Sequence, residues 1–218
     1  MQPSLNRLKR DQSGGEEAAN AISHALGFIG AVIGTPILIN EAVRHSDTAF
    51  VVGVSIFCVS MIILYFGSTV YHALPAGNAK RIFLRVELSA IFLLIAGTYT
   101  PFTFGVLKGP WGWTLFGIIW ALAAIGIFLK VFKKQQHRIF CTSLYLLMGW
   151  VIVIAIKPLL ELLPTAGWIW LVAGGLSYTL GVVFFSVDSR MKYGHFIWHL
   201  FVLGGTTCHF FAILWYAA

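Results

Sequence analysis

The chain has 218 residues, 58% of them hydrophobic and only 11% charged, with a mean hydropathy of +0.83. A water-soluble domain of this size carries about a quarter of its residues as charges, so a soluble globular fold is excluded and the outer surface must face lipid. The formal net charge of +7 sits in short loops between apolar runs, which assigns it to membrane topology rather than to nucleic acid.

In chain order, the N-terminal stretch carries Arg7, Lys9 and Arg10, then Asp11, Glu16 and Glu17. No short apolar core with a small-residue cleavage site follows, so no cleavable signal peptide is expected. Residues 1–18 read as a cytosolic tail and residues 19–218 as a single membrane domain. A helix needs roughly 20 apolar residues to cross the hydrocarbon core. Seven runs meet that length: 19–38, 49–71, 87–104, 112–129, 139–156, 168–185 and 194–216. The expected fold is an all-α, seven-transmembrane-helix bundle. Asn78 is placed to cap an early start of the third helix, with Lys80 and Arg81 in its first turns.

Twelve of the fifteen lysines and arginines fall in the tail and in alternate loops; Arg44, Lys108 and Lys157 fall on the other side. That asymmetry predicts a cytosolic N-terminus and an extracytoplasmic C-terminus. Trp111, Trp113, Trp168, Trp170 and Trp215 form a belt at the outer ends of the spans. Cys58, Cys141 and Cys208 lie singly in apolar runs and read as small core residues.

Of eight carboxylates, seven are assigned to the tail or the loops; only Glu87 lies inside an apolar run. A carboxylate there costs at least roughly 2.5 kcal/mol, so it should face the interior with a partner; pairing with Arg85 near the interface is the plain alternative. His195 and His199 share one helical face, one turn apart. His72 closes the second helix, and Ser68 lies one turn before it. These side chains, with Glu87, come from three helices yet fall at one level, at the cytosolic end. His24 lies near that level. His209 is about 15 Å deeper and reads as a packing residue; His45 and His137 are in loops.

Three neutral imidazoles, His72, His195 and His199, satisfy three of the four positions of a tetrahedral zinc ion, and water in the fourth becomes acidic. Glu87 is placed to orient such a water and take its proton, and Ser68 to donate a hydrogen bond. The spacing alone fits a packing pair as well as a zinc site.

These elements resemble the bacterial hemolysin III proteins, within the progestin and adipoQ receptor family. The likeness rests on Glu-Glu-Ala-Ala-Asn-Ala-Ile-Ser-His at 16–24, Ser-Thr-Val-Tyr-His at 68–72, Ile-Phe-Leu-Leu-Ile-Ala-Gly-Thr-Tyr-Thr-Pro-Phe at 91–102 and His-Phe-Ile-Trp-His-Leu-Phe at 195–201. It implies a multi-pass protein of the bacterial inner (plasma) membrane, with Zn2+ held by His72, His195 and His199, and membrane lipid as its partner. Through the related alkaline ceramidases it implies a lipid amide hydrolase with Ser68 and Glu87 in the catalytic set. The family pattern has Asp-His where this chain has Glu87-Leu88; the added methylene extends the carboxylate by about 1.5 Å, leaving open whether it holds a water or meets the metal. A pore-forming lytic protein, and a lipid regulator with structural zinc, are the competing expectations.

Overall fold

The computed structural model describes residues 10–132 and 138–218. Arg7, Lys9, Lys133, Lys134 and His137 lie outside the described residues. Among those described, all regular structure is helical, and seven segments are long and apolar enough to cross a membrane.

Helix α1 (Gly14–His45) starts ahead of the expected residue 19. Ser13 and Glu16 form a reciprocal capping box: Glu16 N–H donates to the Ser13 hydroxyl, and Ser13 N–H donates to the Glu16 carboxylate. Two donors exposed by helix entry are thereby satisfied, so the polar residues Glu16 and Glu17 become helix rather than tail. His45 ends the same helix and pairs with Glu41. In α2 (Thr48–Ala73), Asp47 caps by accepting from Phe50 N–H at 3.0 Å.

Helix α3 (Asn78–Phe104) begins early, as expected, but Asn78 is not its cap. Asn78 is already helical, and its side-chain oxygen accepts from Arg81; Gly77 occupies the cap position without a side-chain bond. Helix α4 (Pro110–Phe132) opens on a proline, whose missing N–H costs nothing in the first turn.

The fifth span is interrupted: α5 (Arg138–Trp150), a 3-10 turn (Val151–Ala155), then α6 (Ile156–Leu162). Pro158 explains the break, because it has no N–H for the residue 154 carbonyl and its ring crowds that group. Tyr99 repairs the ladder from α3. Its hydroxyl accepts from Ile152 N–H at 3.0 Å and donates toward the carbonyls of Met148 and Gly149 at 2.8 and 2.9 Å. Lys157 and Glu161, expected in a loop, are therefore helical. Helices α7 (Thr165–Val187) and α8 (Gly194–Tyr216) complete the chain.

Helix α1 packs between α2 and α8, α2 on α3, α3 on α4, and α7 on α8. Gly53 permits the close α2–α3 approach: a Cβ there would lie 3.1 Å from Thr100 O and 3.2 Å from Pro101 Cα. One core joins α1, α2, α3, α7 and α8 around Leu38, Phe57 and Ile213; a second joins α3 to α4, α5 and α6 around Ile119, Met148 and Leu159. Helix α3 serves both. Ile22, Leu26, Ile29, Ile33 and Ile37 run down the exposed side of α1, the apolar stripe a lipid-facing helix requires.

Candidate metal centre

The start of α1, the end of α2, the start of α3 and the start of α8 meet at one end of the bundle. His72, Glu87, His195 and His199 come together there, one ligand atom of each within 4.8 Å of the others. Ser68 joins them, its hydroxyl donating to Glu87 Oε1 at 2.5 Å. Ser68, His72, Glu87 and His199 are all buried.

Each imidazole uses Nδ1 on a partner. His72 Nδ1 donates to Glu17 Oε2 at 2.7 Å, and His195 Nδ1 to Asp188 Oδ2 at 2.9 Å. Ser23 donates its hydroxyl proton to Asn20 O at 2.8 Å, so toward His199 Nδ1, 3.0 Å away, Ser23 is the acceptor. In the neutral rings these partners favour the tautomer with the proton on Nδ1, which would leave each Nε2 lone pair free. His72 Nε2 and His195 Nε2 are buried with no hydrogen-bond partner.

That arrangement fits a cation. His72 Nε2 and Glu87 Oε1 face each other at 3.4 Å; with the ring neutral both are acceptors, and a cation or a proton between them would remove the conflict. Zinc takes imidazole and carboxylate donors at about 2.0–2.2 Å, which puts donors in a tetrahedron roughly 3.3 Å apart. The ligand atoms of this quartet lie within 4.8 Å of one another, so the three imidazoles would supply three positions and Glu87 would stand beside the fourth. A histidine whose second nitrogen is held by a carboxylate is the usual way to orient a zinc ligand.

Two of these carboxylates were assigned by sequence to the tail and to a loop. Glu17 lies in the first turn of α1 and also accepts from Lys80 Nζ at 2.9 Å. Asp188 follows α7 and also accepts from Arg138 at 2.8 Å. Burial raises the Asp188 pKa, but hydrogen bonds from His195 and Arg138 outweigh it and hold the carboxyl below its usual value. Glu16 is buried too, so Glu87 is not the sole embedded carboxylate. The capping pattern at Ser13–Glu16 was the available signal for the early helix start.

His24 lies outside the quartet. Its ring stacks flat on His199, centroids 3.5 Å apart and 5° between planes. His209 lies elsewhere, with Nε2 3.3 Å from Leu171 O, as a packing residue should.

Two cavities have linings that include the site's residues or their helical neighbours. A polar one of about 1020 Å³ is lined by His72, Glu17, Lys80, Arg138 and Asp188. An apolar one of about 210 Å³ is lined by residues including Leu64, Ile91 and Trp198. Leu64 and Ile91 lie one turn along their helices from Ser68 and Glu87, and Trp198 adjoins His199. The apolar cavity follows α3 from Ile91 to Phe102, about 16 Å of helix.

The family described as "Haemolysin-III related" matches residues 13–210. "Hemolysin-3" of Bacillus cereus is 45% identical over 201 residues, covering 92% of this chain and 91% of that protein. "Hemolysin-3 homolog" of Bacillus subtilis (strain 168) is 42% identical, covering 92% and 94%. "Monocyte to macrophage differentiation factor" of Homo sapiens is 29% identical over 205 residues, covering 91% and 83%. No solved structure matches. With seven membrane-length helices and a family match over nearly its whole length, the chain belongs to the haemolysin-III related family of multi-pass membrane proteins.

Proposed function

We propose that the chain is a zinc-dependent hydrolase of lipid amides of the ceramide type, in the bacterial plasma membrane with the histidine end at the cytosolic leaflet. The observation that carries this reading is the quartet of three imidazoles and one carboxylate, with His72 lining a polar cavity and with Leu64, Ile91 and Trp198 of an apolar cavity close by in sequence on the same helices. An amphiphile places its scissile carbonyl between a polar head and an apolar tail.

His72, His195 and His199 would hold the metal. Zinc in that position supplies a Lewis acid and an acidic bound water. Glu17, Asp188 and Ser23 keep the three Nδ1 protons in place. Ser68 engages Glu87 Oε1, leaving Oε2 to take the proton of the attacking water. The water oxygen bonds to the carbonyl carbon, the carbon–nitrogen bond breaks, and the proton passes from Glu87 to the departing amine. The products are a fatty acid and an amine.

The test is release of a labelled acyl chain by the detergent-purified protein. Glu87→Gln should keep its metal and lose about 10²–10⁴-fold in turnover, the range of a general base; His199→Ala should lose both metal and turnover. Full turnover in metal-loaded Glu87→Gln would sink the mechanism. The relatives' names support a second reading, membrane lysis, for which dye leakage from liposomes untouched by chelation would be the signature.

A further inference from the structure

Glu16 and Glu17 are neighbours in α1 but serve different partners. Glu17 reaches His72, whereas Glu16 is buried and collects donors from two parts of the chain. Arg10 grips it with both terminal nitrogens, at 2.6 and 2.5 Å. Ser13 gives its N–H and its hydroxyl, both at 2.9 Å, and Tyr193 gives its N–H at 2.8 Å.

Tyr193 immediately precedes α8 and has φ 59, ψ 13, the one left-handed non-glycine residue among those described. A Cβ makes that conformation unfavourable, and Glu16 holds it by accepting the Tyr193 amide. Gly194 then packs so closely on the preceding turn that a Cβ would lie 3.0 Å from Asp188 Cα. His195 is the next residue. From the other side, Arg10 N–H donates to Ser189 O at 3.1 Å and its guanidinium to Met191 O at 3.4 Å.

We propose that Glu16, clamped by Arg10, is a positioning residue of the metal centre: it fixes where α8 begins, and so where His195 and His199 stand against His72 and Glu87. This inference rests on the metal reading above.

The experiment measures zinc affinity by chelator competition and the visible spectrum after Co2+ loading, on the full detergent-purified chain. Ser13→Ala is the control, because it removes the cap hydroxyl but leaves the contacts of Glu16 with Arg10 and Tyr193. Glu16→Ala should weaken zinc binding by about 10- to 100-fold, the scale of a lost partner behind a ligand, and change the Co2+ spectrum. Arg10→Ala should show a smaller loss with the same spectral change. Ser13→Ala should melt earlier yet bind as wild type does. The proposal is overturned if Glu16→Ala matches wild type in affinity and spectrum, or if Ser13→Ala loses as much affinity as Glu16→Ala. Should Glu16→Ala fail to fold, Arg10→Ala decides by the same criteria. Wild type that binds neither ion sinks the metal reading itself, an outcome distinct from loss in the variants alone.

Discussion

Asp188→Asn probes the support behind His195 at the point where it is least replaceable by water. The carboxylate side chain is 9% exposed and accepts from His195 at 2.9 Å and Arg138 at 2.8 Å. Asparagine offers one oxygen and one amide group. Both donors meet the same oxygen, Oδ2, so an asparagine oxygen placed there still reaches them, but the carboxylate charge that holds the His195 Nδ1 proton and balances the Arg138 guanidinium is gone. Removing such a partner costs about 10- to 100-fold in metal affinity, equivalent to about 1.4–2.7 kcal/mol. Burial puts Asp188→Asn toward the upper end. Glu17→Gln should fall near the lower end, about tenfold, because Glu17 is 25% exposed and water can replace part of what it gives His72. The assay is zinc competition with a chromophoric chelator, with helical circular dichroism confirming the fold. Equal affinities for Asp188→Asn and wild type, or a larger loss in Glu17→Gln, would refute the reasoning.

Two further outcomes separate fold from site. Tyr99→Phe removes the acceptor of Ile152 N–H at the break in the fifth span; it should cost about 1–3 kcal/mol, seen as a lower melting temperature with zinc affinity unchanged, and an unchanged melting temperature would show the hydroxyl to be dispensable. Val172→Trp adds bulk at a half-exposed position on the apolar cavity. It should slow release of a long acyl chain by about tenfold, or about 1.4 kcal/mol of barrier, and leave zinc binding intact; normal turnover of that substrate would place the acyl chain elsewhere.

The helices and the gathering of the quartet were legible because both depend on depth. Apolar run length locates each span, and counting residues from the ends put His72, Glu87, His195 and His199 at one level while setting His209 apart. What surrounds them was harder to read. Glu17 meets His72 across 55 positions of sequence, and hydropathy assigns it to a tail because polar residues dilute the first turns of α1. Asp188 falls one residue beyond α7, where a span count sees a loop; its role appears only when Arg138 and His195 converge on it. Asn78 misled because a capping residue type was taken for a capping position, while the turn before it puts Gly77 there. The interruption after Trp150 had a visible cause in Pro158, but which turn would give way, and that Tyr99 would mend it, depended on a neighbouring helix.

The apolar cavity has one further consequence. Its lining includes Trp150, Val153, Ile156 and Val172, which are 44%, 48%, 39% and 44% exposed on the outside of the bundle. Helices α5 and α7, which frame it there, touch only sparingly. A hydrophobic molecule can therefore approach sideways, by diffusing in two dimensions, without first dissolving in water. Occupancy would then follow the mole fraction of that molecule among its lipid neighbours rather than its aqueous concentration, and the bilayer itself would set how much of it the protein meets.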